Sequence, residues 1–117
     1  GASCYGELAL ALAAERDGAS YVAFGGFYPS RVKQYSFRTD PDLVKHAKAA
    51  VRLPVVVIGG MTPENAAPLV QRGADMVAAI SSIYTAPVPG AEVRRFDGLF
   101  AARAKQCANV GSGRIIV

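Results

Sequence analysis

The chain has 117 residues, of which 51% are hydrophobic and 19% are charged, so it is expected to fold around a core rather than to be disordered. Its net charge of +4 includes no block of Lys or Arg, which argues against nucleic-acid binding, while a weak positive field suits a phosphorylated small molecule. No apolar run approaches the roughly 18 residues of a membrane span, so no membrane partner is expected.

The chain is predicted to open with the end of a strand, a helix and a second strand. Residues 1–3 read as a strand stub that ends at Ser3, and because there is no initiator Met we expect its beginning to lie upstream. Residues 7–17 include LALALAAE, a run of strong helix formers, and Gly18 is placed to end that helix. Residues 20–25, SYVAFG, predict a short buried strand.

A long loop and a second βα unit follow. Residues 26–40 are dense in polar and aromatic side chains and predict a loop longer than most βα loops. Asp40 and Pro41 make a suitable N-cap and first-turn pair for a helix that runs to about Val51. Residues 53–58 contain the continuous apolar run PVVVI, which is typical of a strand covered on both faces in a parallel sheet.

Two more helices flank the next strand. Thr62 is a predicted N-cap for a helix over residues 63–72, with Pro at its first position. Residues 75–80 predict a strand, and residues 89–107 predict a last helix. The tail, residues 107–117, is interrupted by glycines and receives no element.

Strands and helices therefore alternate, which predicts an α/β fold with a parallel sheet. The stretches RDGASYVAF (16–24) and QRGADMVAA (71–79) resemble each other, and repeated βα units of this kind fit a (β/α)8 TIM barrel. Such a barrel needs at least about 200 residues. Residues 1–106 are thus expected to supply about half of it, roughly four βα units. Because half a barrel leaves sheet edges unpaired, we expect the rest to come from a missing N-terminal half or from a second copy in a homo-oligomer.

Two neighbouring strand ends predict a phosphate-binding site. Gly59 and Gly60 follow one strand, where backbone amides can approach an anion closely and the next helix begins. Taken alone, the two glycines are better explained by a tight turn. Ser81 and Ser82 end the next strand with hydroxyl and amide donors, and in TIM barrels the loops after the last two strands often hold phosphate. The pair of strand ends therefore favours a phosphate site.

A third strand end precedes the loop FYPSRVK (27–33). Ser30 can donate to a phosphate, and Lys33 supplies a compact positive charge that suits a pyrophosphate. Taken alone, Lys33 is better explained as an ordinary surface lysine.

The two cysteines favour a reducing compartment. Cys4 and Cys107 lie far apart, and one distant pair forms neither a disulfide framework nor a metal-binding pattern. The first residues also lack the features of an export signal. The sequence therefore predicts free thiols and a cytoplasmic location.

Four motifs together resemble one family. GASCY (1–5), GASYVAFGGFYPSRVK (18–33), LPVVVIGGMTPENA (53–66) and GADMVAAISSIY (73–84) stand in the order and spacing of thiamine phosphate synthase, over about residues 1–100. The match is to the C-terminal half of that family's barrel. It implies a transferase that joins 4-amino-2-methyl-5-hydroxymethylpyrimidine pyrophosphate to thiazole phosphate, with Mg²⁺. Pyrophosphate leaves to give a pyrimidinyl carbocation, which the thiazole nitrogen attacks to form thiamine phosphate.

The resemblance also implies roles for individual residues. Ser3 and Lys33 match the positions that stabilise the leaving pyrophosphate, and these are the implied catalytic residues. Ile58 is expected to wall the thiazole pocket. The Gly60 amide and the serine pair match the site of the thiazole phosphate. The implied substrate-binding residues are Ser30, Ile58, Gly60, Ser81 and Ser82.

The sequence departs from the family pattern in two places. Val32 stands where the family usually has Thr, and the QYSF that follows Lys33 lacks the usual acidic residue. The family's Mg²⁺ ligands belong to the N-terminal half, so no metal ligand is expected here. Asp40, Asp42 and Asp75 are interpreted as a helix cap, a first-turn acid and a strand-start residue. These 117 residues alone are therefore expected to be inactive.

Three other interpretations remain open. The first is a related thiazole tautomerase, which uses a histidine near the end of the strand that corresponds to residues 1–3. This chain reads SCY (3–5) there, and its single histidine, His46, lies in a predicted helix. Cys4 would therefore have to act as the acid–base group. A non-catalytic, phosphate-binding half-barrel that self-associates is a second alternative. A phosphate-binding barrel of indole or histidine biosynthesis is a third, but it would not be expected to carry the FYPSRVK loop.

Overall fold

The computed structural model describes residues 1–28, 38–106 and 114–116, and these ranges contain five strands and five helices. The strands are β1 (Ala2–Ser3), β2 (Val22–Phe24), β3 (Val55–Ile58), β4 (Met76–Ala78) and β5 (Arg114–Ile116). The helices are α1 (Leu8–Arg16), α2 (Asp42–Ala50), α3 (Pro63–Gln71), α4 (Ser81–Tyr84) and α5 (Pro89–Gln106). Within these ranges, no helix has both the length and the apolar character needed to cross a bilayer.

The five strands form one parallel sheet in sequential order, from β1 to β5. Ser3 pairs with Ala23, and Ile58 pairs with Ala78, so the strands run in register and their C-terminal ends lie along one side of the sheet, here called the carboxyl edge. Sequential parallel strands joined by helices are the wall of a TIM barrel. The predicted α/β class and the four βα units are confirmed.

Two elements were not predicted. The short helix α4 begins three positions after the last residue of β4, next to the stretch that the sequence predicted as the end of a strand. Strand β5 lies in the tail to which no element was assigned, and it pairs in parallel with β4, with Ala78 opposite Ile116. A β4 edge that would otherwise expose unpaired amides and carbonyls is thereby covered by another strand.

The core lies between the sheet and the helices. Alternate strand residues contribute to it, as the period of two along a strand requires; they are Val22, Phe24, Val55, Val57 and Val77. The helices contribute Ala11, Val44, Ala47, Leu69 and Phe96, each fully buried. Burying the larger of these side chains contributes about 1.5–3 kcal/mol each. This packing holds the strand ends, and therefore the carboxyl edge, in fixed positions.

The internal sequence repeat corresponds to a repeated turn. Gly18 and Gly73 end α1 and α3 with φ angles of 88° and 114°, which glycine adopts without strain. In both turns the amide after the glycine donates to the carbonyl five residues earlier, at 3.0 and 3.1 Å. This is the Schellman type of helix ending. These turns connect α1 to β2 and α3 to β4.

Candidate functional site

Strand β3 ends in a turn that favours glycine. Gly59 and Gly60 have φ angles of 100° and 64°, in the left-handed region where a Cβ is strained. We call residues 59–61 the glycine turn. The backbone amides of Gly60 and Met61 donate to no acceptor within the described ranges. The turn therefore presents two N–H donors where β3 meets α3.

The first turn of α3 is capped by two side chains at once. Thr62 Oγ1 accepts from the Asn65 amide at 3.2 Å, and Asn65 Oδ1 accepts from the Thr62 amide at 2.8 Å. The predicted N-cap Thr62 and the proline at the first helical position are confirmed. Asn65 also donates from Nδ2 to the Gly60 carbonyl at 2.8 Å. Its side chain thus joins the helix start to the glycine turn.

A second turn, residues 80–82, follows β4 and is here called the serine turn. Ser82 Oγ donates to the Met61 carbonyl at 2.5 Å, which places the serine turn directly against the glycine turn. The Ser82 hydroxyl is therefore occupied as a donor. The Ser81 and Ser82 amides begin α4 and have no acceptor among the residues that the structure describes.

The two turns together offer four backbone donors, from Gly60, Met61, Ser81 and Ser82. Amides at helix starts carry partial positive charge, so a cluster of them attracts an anion without a charged side chain. A phosphate ester has several acceptor oxygens and can use such a cluster. The two strand ends predicted to form a phosphate site are thus brought together, and what they bind stays a prediction.

The carboxyl end of β2 connects to the same place. Tyr28 donates its hydroxyl to the Asn65 carbonyl at 2.7 Å. Buried Thr39 donates Oγ1 to the Gly25 carbonyl at 2.6 Å and its amide to the Gly26 carbonyl at 2.8 Å. Both flanks of residues 29–37 are therefore anchored at the carboxyl edge.

Two of the predicted site residues, Ser30 and Lys33, lie outside the described residues. The same holds for Val32, the position that departs from the family pattern. Their placement and roles stay predictions.

At the end of β1, Ser3 is exposed and pairs with Ala23 of β2. The next residue, Cys4, is buried, its Sγ lies 3.7 Å from the Ala2 carbonyl, and burial raises the pKa of its thiol. A buried thiol with a raised pKa stays protonated near neutral pH and is a poor acid–base group. This argues against the tautomerase alternative that relied on Cys4. Ser3 lies at the carboxyl edge, and its catalytic role stays a prediction.

Ile58 is the last residue of β3, partly buried, and it pairs with Ala78 immediately before the glycine and serine turns. An aliphatic side chain at this point can form an apolar wall beside the phosphate donors. Its expected contact with a thiazole ring stays a prediction.

The described acidic residues that were considered as metal ligands are used elsewhere. Asp75 binds Lys48 at 2.8 Å at the start of β4, and Asp42 binds Arg72 at 2.8 Å. Asp40 accepts from the Asp42 amide at 2.9 Å. Across residues 1–28, 38–106 and 114–116, no cluster of three or more His, Cys, Asp or Glu is arranged to hold a metal ion. The described residues therefore do not form a site that would hold Mg²⁺ through three or more of their own side chains.

Two residues of this region were not predicted from the sequence. Asn65 binds the Gly60 carbonyl and the Thr62 amide through its side chain, and its own carbonyl accepts from the Tyr28 hydroxyl. The spacing of Thr62 and Asn65, three positions apart, is that of a capping box and was the available signal for Asn65. No local pattern indicates the Tyr28 contact, because its partner lies 37 positions away in the sequence.

Comparisons with known proteins agree with this architecture. The sequence model described as thiamine monophosphate synthase matches residues 1–83. The thiamine-phosphate synthase of Janthinobacterium sp. (strain Marseille) is 63% identical over 101 residues, which cover 86% of this chain and 49% of that protein. The thiamine-phosphate synthase of Thiobacillus denitrificans is 47% identical over 106 residues, covering 91% and 50%. The chain thus spans about half the length of the curated relatives it matches.

Solved structures show the same fold. The thiamine phosphate pyrophosphorylase of Pyrococcus furiosus superposes with a TM-score of 0.73 at 27% identity, over 86% of this chain and 48% of that one. The Amycolatopsis orientalis BexX/CysO complex gives the same TM-score at 18% identity, a likeness of fold alone. The described chain is thus half of a TIM-barrel-like fold with a glycine turn and a serine turn joined at its carboxyl edge. The chain belongs to the thiamine monophosphate synthase family.

Proposed function

We propose that this chain is the C-terminal half of a thiamine phosphate synthase, a transferase of thiamine biosynthesis. One observation carries the proposal: the Ser82–Met61 hydrogen bond joins the glycine turn to the serine turn in a member of this family. The joined turns hold the phosphate of thiazole phosphate through the amides of Gly60, Met61, Ser81 and Ser82. The second substrate is the hydroxymethylpyrimidine pyrophosphate.

The reaction breaks the bond between the pyrimidine methylene carbon and the pyrophosphate oxygen, and the electron pair leaves with pyrophosphate. The thiazole nitrogen then donates its lone pair to the methylene carbocation and forms the new C–N bond. In this proposal the two turns fix the thiazole by its phosphate, and Ile58 walls the ring. Ser3, Ser30 and Lys33 stabilise the departing pyrophosphate. Positioning and electrostatic stabilisation therefore supply the rate, with little proton transfer by side chains.

The family resemblance implies Mg²⁺, which would neutralise pyrophosphate charge. Because the described residues carry no cluster suited to the metal, no step above uses it. We propose that turnover needs the residues of the other barrel half, and that the protein acts in the cytoplasm. A self-associated, non-catalytic half-barrel is the alternative that a measurement of oligomeric state would test.

The phosphate site is tested with Gly60→Ala. A Cβ at φ 64° forces the glycine turn to change, so we expect thiazole phosphate to bind at least about tenfold more weakly, as the loss of one charge-assisted hydrogen bond would give. Isothermal titration with thiazole phosphate and with its dephosphorylated alcohol would measure the change.

Gly18→Ala is the matched control. Gly18 also has a positive φ, 88°, but it lies at the end of α1, before β2, and a Cβ added there would meet nothing within 4 Å. Both variants should lose about 1–2 kcal/mol of stability from left-handed backbone strain. Only Gly60→Ala should lose phosphate affinity. Equal affinities for the two ligands in the unmodified chain would contradict the proposed function.

A further inference from the structure

We propose that Asn65 is a positioning residue that aims the Met61 amide at the substrate phosphate, and that the Tyr28 hydroxyl holds Asn65 in place. The inference rests on the proposed function and deepens it. Neither residue is among those that the sequence motifs assigned to the substrates.

The argument begins with the peptide planes of the glycine turn. The Gly60 carbonyl and the Met61 N–H belong to one planar trans peptide, so they point in opposite directions. Asn65 Nδ2 holds the Gly60 carbonyl at 2.8 Å. Fixing the carbonyl on the Asn65 side therefore directs the Met61 N–H away from Asn65.

The next peptide plane is held at both of its ends. Its carbonyl, from Met61, accepts from Ser82 Oγ at 2.5 Å, and its N–H, from Thr62, donates to Asn65 Oδ1 at 2.8 Å. Two successive planes are thus locked by two side chains, while the Met61 amide itself has no acceptor within the described ranges. A donor held in advance binds an anion without a further ordering cost.

Asn65 is itself held from β2. Tyr28 donates to the Asn65 carbonyl at 2.7 Å, and its ring packs against the hydrophobic core. The contact ties the carboxyl end of β2 to the first turn of α3. Loss of this hydroxyl should let that turn, and with it the Asn65 side chain, move more freely.

A purely structural role for Asn65, as part of the helix cap, makes a different prediction. Thr62→Ala removes the cap bond between Thr62 Oγ1 and the Asn65 amide but leaves both side-chain bonds of Asn65 in place. It is therefore the matched control. A capping role predicts similar effects of Thr62→Ala and Asn65→Ala, whereas a positioning role separates them.

The experiment compares the 117-residue chain with Asn65→Ala, Tyr28→Phe and Thr62→Ala. Titration calorimetry gives Kd for thiazole phosphate and for the dephosphorylated alcohol, and urea unfolding gives stability. We expect Asn65→Ala to raise the Kd for thiazole phosphate about tenfold and to leave the Kd for the alcohol unchanged. Tyr28→Phe should raise the Kd for thiazole phosphate about threefold. Thr62→Ala should lower the urea midpoint without changing either Kd.

An unchanged ratio of the two Kd values in Asn65→Ala, or an equal change in Thr62→Ala, would overturn the inference while leaving the proposed function intact. If Asn65→Ala does not fold, an unchanged ratio in Tyr28→Phe overturns it instead. If the unmodified chain does not prefer thiazole phosphate over its alcohol, both the inference and the proposed function fail.

Discussion

At the scale of single residues, polar side chains at the carboxyl edge hold the backbone. Ser82, Asn65 and Thr39 each donate to a main-chain carbonyl, at 2.5–2.8 Å. These three side chains are occupied as donors, whereas the backbone amides of Gly60, Met61, Ser81 and Ser82 have no acceptor within the described ranges and can bind a ligand. Amides have no charge to titrate, so phosphate binding through them should depend on pH only through the phosphate itself.

Asp75 shows the same use of a side chain at the opposite edge of the sheet. Its carboxylate accepts from the Val55 amide at 2.9 Å and from Lys48 Nζ at 2.8 Å, which ties the starts of β3 and β4 to α2. Asp75→Ala leaves the Val55 amide unpaired, and we expect a loss of about 1–3 kcal/mol in the free energy of unfolding.

Lys48→Ala is the control for that loss. It removes only the ion pair, whose side chains are each 33% exposed, so it should cost at most about 1 kcal/mol and lose its effect in high salt. Urea unfolding of both variants measures the difference. A Lys48→Ala loss as large as that of Asp75→Ala would show that the ion pair, and not the backbone bond, stabilises this edge.

At the scale of elements, helix α3 is held at its start by the reciprocal cap of Thr62 and Asn65, and on its exposed side by an ion pair with α5. Glu64, in the first turn, pairs with Arg95 of α5, and Arg95 also binds Glu92 at 3.0 Å. The pKa of Glu64 is lowered from its ordinary value of 4.5, first by a hydrogen bond with its own backbone amide and next by Arg95. Helices α3 and α5 are therefore joined by an acid-sensitive contact.

Arg95→Ala tests this contact through its pH dependence. A carboxyl whose pKa is lowered by folding contributes stability above its unfolded pKa and loses it as the pH falls through the folded value. The unmodified chain should thus be more stable than Arg95→Ala at pH 7, and the difference should shrink as the pH falls below 4.5 and disappear once Glu64 is protonated in the folded chain. Arg94→Ala, an exposed neighbour with the same charge change, should show no such convergence. A difference between the unmodified chain and Arg95→Ala that stays constant with pH would contradict the assignment.

The sequence predicted those helices and strands whose determinants are neighbouring residues in the chain. The Thr62 cap, the glycine helix stops and the continuous VVV run of β3 each depend on neighbours in sequence, and the structure has them. Strand β5 was missed because its three residues gain their conformation from pairing with β4, far away in the chain. Helix α4 was missed because four residues carry too little periodicity to distinguish a helix from a strand end.

At the scale of the whole molecule, the parallel sheet determines where chemistry can occur. Consecutive parallel strands bring their C-terminal ends to one edge, so Ser3, the glycine turn and the serine turn all lie along that edge. The sequence could therefore predict that the two turns are neighbours from topology alone. It could not predict the Ser82–Met61 and Tyr28–Asn65 contacts, which depend on side-chain geometry between distant segments.

The most direct test of the phosphate site is a ¹H–¹⁵N NMR titration of the chain with thiazole phosphate, with the dephosphorylated alcohol as reference. We predict that the largest phosphate-dependent shifts fall on the amides of Gly60, Met61, Ser81 and Ser82. Shifts concentrated at the opposite edge, around Asp75 and Val55, or no difference between the two ligands, would contradict the assignment of the joined turns as the phosphate site.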